Sequence, residues 1–168
     1  VADGGYSVTL NGELKWMEGL PLDPVKHSLH ILEENGIPWA VSTTNELVRY
    51  SARKDFAKIS GDYYVPTEYD PNLRIDDLTC IYKAYIPCSA EDEPKILATG
   101  ALDGVPHVRY DSDTIFIEPM DKQRGIKRMM DMLGPLTKTW WCSATASTMF
   151  PCSFPNGPLL PWATPVKC

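Results

Sequence analysis

Two short runs of alternating apolar and polar residues open the chain, over 6–10 and 13–16. Asn11-Gly12 lies between them, and this dipeptide tolerates positive φ at both central positions of a tight turn. Alternation on both sides of such a turn is typical of a β-hairpin. The first sixteen residues are therefore predicted to contain one.

Helices and strands are predicted to alternate beyond the hairpin. The predicted helices cover 23–34, 45–59, 91–99 and 126–133. Runs of β-branched and aromatic residues predict strands over 37–43, 79–86, 105–110 and 114–118. Asp23 is the expected N-cap of the first helix, and Asn35-Gly36 follows its last turn. This order of elements predicts an α/β or α+β fold.

The length and composition fit one compact domain, or one and a half, rather than a disordered or fibrous chain. Of the 168 residues, 43% are hydrophobic, and 16 basic against 22 acidic residues leave a net charge of -6. A surface of this sign does not attract nucleic acid or an anionic membrane, so neither is expected as a partner. No apolar run approaches the ~20 residues of a membrane span, and the N-terminus lacks the features of a signal peptide. We expect a cytoplasmic protein, and the sequence gives no indication of its oligomeric state.

No pattern of metal ligands stands out. The five cysteines include no C-x-x-C pair and are expected to be reduced thiols. His27 and His30 lie one turn apart on the first predicted helix, but no further ligand follows at a matching spacing. No metal-binding residue is therefore predicted in the chain.

Four short segments occur in a specific order and spacing over residues 3–134. They are Asp3-Gly4-Gly5-Tyr6 with the Asn11-Gly12 turn, Pro21-Leu22-Asp23-Pro24 leading to Glu34-Asn35-Gly36-Ile37-Pro38, Ile115-Phe116-Ile117-Glu118-Pro119, and Asp121-Lys122 before Gly125-Ile126 and Leu133-Gly134. In this order they resemble the Cof-type (class IIB) hydrolases of the haloacid dehalogenase (HAD) superfamily of phosphatases.

The resemblance implies an α+β cap domain, an open sheet covered by helices, that is inserted in a HAD-like Rossmann core of which only a part is present. In this frame, residues 1–19 are the hairpin at the core-cap junction and residues 20–118 are the cap domain. Residues 119–134 return into the core, and residues 135–168 are an irregular tail rich in proline and tryptophan.

The resemblance also implies a phosphatase of small phosphorylated metabolites, of the sugar phosphate type, that works through an aspartyl-phosphate and Mg²⁺. Lys122 falls on the family's motif III lysine, whose ammonium neutralises charge between the phosphate and the nucleophilic aspartate. From the local sequence alone, Lys122 is equally an exposed lysine at the start of a helix. The nucleophile motif D-x-D would lie before Val1, and the metal-binding motif that should follow Gly134 is not found there. The chain alone is therefore expected to lack the nucleophile and the Mg²⁺ ligands, and to be inactive.

Thr43, Thr44 and Asn45 are further candidate substrate-binding residues. They follow a predicted strand and precede a predicted helix. Backbone N–H groups and hydroxyls at such a position can bind an anionic substrate. An ordinary helix N-cap explains the same residues, so both interpretations stay open.

The last part of the chain has an unusual composition. Residues 132–168 contain no Asp or Glu, whereas six prolines and three tryptophans fall in the same stretch. Trp and Met have single codons, and a shifted frame permits F-G-D-G-L-N-D-V-S-M across 142–152 and M-G-N-A across 161–165. These are the family's missing motifs, and a chance fit is on the order of 10⁻⁵. We hypothesise that the chain leaves its native reading frame near Gly134. The alternative is an intact, non-catalytic α/β binding module whose tail binds a protein partner.

Overall fold

A computed structural model of the chain describes residues 1–61, 65–110 and 113–134. Residues 1–126 form one compact unit, and residues 127–168 belong to a second, of which 127–134 are described. The tail at 135–168 and its hypothesised change of reading frame lie outside the described residues. None of the described helices is long and apolar enough to cross a membrane.

The hairpin at the start of the chain is confirmed. Strand β1 (Ser7–Leu10) pairs antiparallel with β2 (Glu13–Met17). Asn11 and Gly12 have φ angles of 53° and 81°, so both central turn residues adopt the left-handed conformation that this dipeptide allows. A short 3-10 turn, Asp3–Gly5, precedes β1 and forms the base of the hairpin.

Six further strands of the described residues form one mixed sheet in the order β5-β4-β3-β6-β8-β7. β4 and β5 are parallel, and the other neighbouring pairs are antiparallel. The four predicted strands each overlap an observed one, whereas β4 and β5 were not predicted. The strands are β3 (Ala40–Ser42), β4 (Arg49–Ser51), β5 (Thr67–Tyr69), β6 (Lys83–Pro87), β7 (His107–Arg109) and β8 (Thr114–Ile117).

The described helices confirm the mixed α/β character of the chain. Helix α1 begins at Leu22 with Pro21 as its N-cap, so the prediction of Asp23 as N-cap is wrong by two positions. Asp23 lies in the first turn instead, where its charge favours the positive end of the helix dipole. The helices are α1 (Leu22–Glu34), α2 (Phe56–Ser60), α3 (Glu93–Leu97) and α4 (Lys122–Leu133).

The predicted helix over 45–59 is wrong for most of its length. Strand β4 occupies its centre, and only the five residues of α2 at its end are helical. Val48, Arg49 and Ser51 are buried, and β4 pairs with β3 on one side and β5 on the other. Pairing with two distant neighbours has overridden the local helical pattern.

The two faces of the six-stranded sheet differ in character. One face packs against α1 and α3 in the main hydrophobic core, and we call it the helical face. The other face carries a smaller cluster around Phe56 of α2, and we call it the aromatic face. Residues of the helical face are Val41, Ala84, Ile86, Ile115 and Ile117. Residues of the aromatic face are Ala40, Ser42, Lys83, Tyr85 and Phe116.

Candidate functional site

The base of the hairpin and the segment that leads into α4 touch each other through their backbones. Gly4 and Gly5 have φ angles of 60° and 106°, which favour glycine. A Cβ on Gly4 would lie 1.5 Å from the carbonyl oxygen of Pro119, and one on Gly5 would lie 2.0 Å from that of Asp121. The Asp121 N–H donates to the Gly4 carbonyl oxygen at 2.8 Å. Two side-chain-free residues therefore allow the start of α4 to lie directly on the hairpin.

Arg124, in the first turn of α4, is held by the hairpin on several sides. Its Nη2 donates to both carboxylate oxygens of Glu18, at 2.6 and 2.5 Å, and its Nη1 donates to the Tyr6 hydroxyl at 3.2 Å. The guanidinium also lies 4.8 Å from the Tyr6 ring centroid and 6.0 Å from that of Trp16. Desolvation opposes the charge, but Glu18 and Tyr6 outweigh it and raise the pKa of Arg124. Sequence reasoning missed this residue because Glu18 is 106 positions away.

Lys122 is the first residue of α4, and its side chain is exposed. Its backbone lies against Gly5, so the position from which the side chain leaves the helix is fixed by the hairpin. Within residues 1–61, 65–110 and 113–134, its amine has no hydrogen-bond or ion-pair partner. The amine is therefore free to meet a ligand, and the catalytic role of Lys122 stays a prediction.

The other predicted site residues lie elsewhere. Thr43, Thr44 and Asn45 form part of the loop between β3 and β4, and no helix follows them. The expected helix N-terminus, on which both interpretations of these residues depended, is therefore wrong. The Thr44 hydroxyl instead accepts a hydrogen bond from the Glu46 N–H at 3.3 Å, which is a turn contact inside the loop. A role of this loop in substrate binding remains a prediction without its original basis.

A buried charge cluster lies where β8 ends. Glu118 is 3% exposed, and its Oε2 is 2.7 Å from the Lys83 Nζ. Its Oε1 accepts a hydrogen bond from the Tyr110 hydroxyl. Desolvation works against the Lys83 ammonium, but Glu118, Tyr85 and Asp3 outweigh it and raise the pKa of Lys83. Because Glu118 directly precedes Pro119, whose carbonyl oxygen contacts Gly4, this cluster lies beside the same turn that contacts the start of α4.

The described residues do not form a metal site. Among them, no group of three or more His, Cys, Asp or Glu side chains is placed to hold a metal ion. Within the described residues, Cys80 and Cys88 form no disulfide. The Mg²⁺ implied by the family resemblance does not fit this set of residues.

Several solved structures resemble the described fold. The HAD subclass IIB sugar phosphatase BT4131 is 17% identical with a TM-score of 0.52, covering 80% of this chain and 52% of its own. TM0651 from Thermotoga maritima is 18% identical with a TM-score of 0.61, covering 77% of this chain and 51% of its own. BT1666 from Bacteroides thetaiotaomicron, a phosphatase of the HAD superfamily, is 17% identical with a TM-score of 0.54, covering 77% and 49%.

These similarities are similarities of fold, and they cover only part of each solved structure. The sequence matches no protein-family model and no curated protein sequence. The chain spans about half the length of the solved structures that it resembles. Its fold is that of the HAD superfamily phosphatases, including sugar phosphatases of subclass IIB.

Proposed function

We propose that this chain is the cap domain and the adjoining part of the core of a HAD-type phosphatase that hydrolyses small phosphorylated metabolites of the sugar phosphate type. The observation that carries the proposal is the fold match over about four-fifths of the chain. Residues 20–118 are the cap in this proposal. Residues 1–19 and 119–134 are the core side, which agrees with the close packing of the hairpin against the start of α4.

Lys122 is the proposed phosphate-facing cation of this chain. Its exposed amine leaves a helix whose first turn is fixed to the hairpin, and it has no partner in the part of the chain that the structure describes. An aspartate oxygen forms a bond to phosphorus as the ester oxygen leaves, and water then cleaves the aspartyl-phosphate. An ammonium beside the transferred group neutralises the charge that the carboxylate and the phosphoryl oxygens bring together.

Mg²⁺ is part of the proposal only for the whole enzyme. The described residues do not provide its ligands, so we derive no step of the reaction through the metal. The nucleophile and the metal ligands are proposed to lie in segments encoded before Val1 and, in the native reading frame, after Gly134.

The test begins with the parent gene, read on both sides of this segment and through the codons after Gly134. We call the protein translated from that gene the full-length product. We expect it to hydrolyse phosphate esters in a reaction that EDTA abolishes and Mg²⁺ restores. The 168-residue chain, purified in parallel, is expected to give no metal-dependent turnover.

Three results would contradict parts of the proposal. An inactive full-length product would contradict the phosphatase function itself. Robust activity of the 168-residue chain would place the nucleophile inside it. A single continuous frame through Gly134 in independent sequence reads would reject the change of frame.

A further inference from the structure

The aromatic face carries a cation whose position is set by a buried carboxylate. The Lys83 Nζ is 2.7 Å from the Glu118 Oε2, in an ion pair. The Glu118 side chain is 4% exposed, whereas 24% of the Lys83 side chain remains exposed. The carboxylate therefore lies beneath the amine, and Lys83 keeps N–H groups available on its solvent side.

A cluster of aromatic rings lies on one side of this amine. The Lys83 Nζ lies 6.0 Å from the Phe116 ring centroid. The Phe116 ring makes an edge contact with Tyr85 and a tilted contact with Tyr110, each with centroids 5.6 Å apart. Tyr110 is itself 61% exposed and donates its hydroxyl hydrogen to Glu118. The aromatic face therefore presents the Phe116 ring beside the Lys83 ammonium, whose position is fixed by Glu118.

The cluster neighbours the proposed phosphoryl site. Glu118, the ion-pair partner of Lys83, directly precedes Pro119, whose carbonyl oxygen contacts Gly4. Gly4 and Gly5 of the turn at the base of the hairpin touch the segment from Pro119 to Lys122. Lys83 and Lys122 therefore approach the same turn, one from the sheet and one from α4.

The charges around Lys83 favour a neutral ligand group over a second anion. The buried Glu118 carboxylate lies 2.7 Å from this ammonium and already neutralises its charge. A donor held by a carboxylate beside an aromatic ring suits a hydroxylated carbon skeleton, whose oxygens accept hydrogen bonds and whose C–H groups pack on rings. A free phosphate would be repelled by this carboxylate.

We infer that Lys83 is a specificity-determining residue that donates hydrogen bonds to the hydroxyl oxygens of the substrate's uncharged part, while Phe116 and Tyr110 pack against its C–H surface. The inference rests on the proposed phosphatase function. Glu118 acts through Lys83 as a positioning residue. The ligand class is a polyhydroxylated phosphate ester, and an ester without hydroxyl groups gains nothing from Lys83.

The test compares two esters in the full-length product, a hexose 6-phosphate and phenyl phosphate. For Lys83→Met, we expect kcat/KM for the hexose ester to fall about 10-fold to 100-fold, mainly through KM, because a charged hydrogen bond is lost. The value for phenyl phosphate should change less than about twofold. Lys83→Arg should keep part of the preference. Lys95→Met is the matched control, since Lys95 is an exposed lysine of α3 paired with Asp92.

The outcomes separate this inference from the function on which it rests. An equal fall for both esters, or no change for the hexose ester, would overturn the specificity role while leaving the phosphatase intact. A wild-type product that cleaves phenyl phosphate but no hydroxylated ester would also overturn the specificity role and leave the phosphatase function intact. A wild-type product that cleaves neither ester would contradict the proposed function, and this inference with it.

Discussion

Two cations on the first turn of α4 occupy opposite situations. Arg124 is engaged by Glu18, Tyr6 and Trp16, whereas the Lys122 amine is exposed and, within the described residues, unpaired. A side chain with all its contacts inside the fold stabilises structure, and one with none is available for chemistry. The two residues are therefore expected to respond differently to mutation.

The first prediction separates these roles in the full-length product. Lys122→Ala should lower kcat by about 10²-fold, as expected for a lost electrostatic stabiliser of the transition state, and leave the melting temperature unchanged. Arg124→Ala should lower the melting temperature, because Glu18 loses its bidentate partner. Steady-state kinetics and thermal unfolding of both variants check this. Full activity in Lys122→Ala would exclude its proposed role, and loss of activity in Arg124→Ala without loss of stability would move that role to Arg124.

A second prediction concerns the Tyr110 hydroxyl. Desolvation, the hydrogen bond to Glu118 and the charge of Glu118 raise its pKa from the ordinary value of 10.0 to about 12. The folded state thus holds this proton more tightly than the unfolded chain does. The stability that it contributes is complete below pH 10 and is lost as the pH rises from 10 to about 12.

Phenolate absorbance during an alkaline titration checks this directly. The pKa values of Tyr50 and Tyr82 are also raised, but the step at about pH 12 should belong to Tyr110. Tyr110→Phe should remove this late step, and Glu118→Gln should move it to lower pH. Tyr69→Phe is the control, because Tyr69 is an exposed tyrosine of β5. A late step that survives in Tyr110→Phe would contradict the assignment.

At this scale, the sequence identified residues only where a motif or a resemblance marked them. Lys122 was found through the resemblance, and its exposure was the local expectation. Arg124 and Lys83 were missed because their partners, Glu18 and Glu118, are 106 and 35 positions away in the chain. No local pattern connects residues at such distances.

Among the elements, α4 depends on a glycine for its contact with the hairpin. A Cβ on Gly125 would lie 2.4 Å from the Gly5 carbonyl oxygen and 2.6 Å from the Val1 Cγ1. Gly125 is buried in a helix and its φ is not positive, so its backbone would accept alanine. Space, rather than conformation, is what requires glycine there.

The sign of the change in the free energy of unfolding in Gly125→Ala tests this requirement for space. Glycine to alanine inside a helix usually stabilises by about 0.5–1 kcal/mol. Gly125→Ala should instead destabilise by about 1–3 kcal/mol through overpacking, as measured by urea unfolding of the 168-residue chain. Gln123→Ala, at an exposed position of the same turn, should stay within about 0.5 kcal/mol of the wild type. A stabilised Gly125→Ala variant would show that the hairpin does not rest on α4.

Local sequence patterns were sufficient to predict the elements whose turn or periodicity is encoded in neighbouring residues. The Asn11-Gly12 turn and the apolar stripe of α1 were sufficient for the hairpin and the first long helix. β4 and β5 escaped prediction because their pairing joins Arg49 to Thr67 in parallel, across an intervening helix. A three-residue strand carries too little periodicity to be recognised without its partner.

For the whole molecule, the order of elements was more informative than any single motif. The order and spacing of four weak segments indicated the HAD fold that the solved structures then matched. The cluster of Lys83, Tyr110 and Phe116 could not be predicted, because these residues come together only when β6 and β7 both pair with β8. The reaction also remains a proposal, because the chain spans about half the length of the solved structures that it resembles.

The pairing of Glu18 with Arg124 has a consequence for how such a protein can change over time. Glu18 is the last residue before the chain leaves the hairpin, and Arg124 is where it has come back. The segment 19–123 is therefore closed at its base by this pair. Its length and fold can change without moving the hairpin or the start of α4.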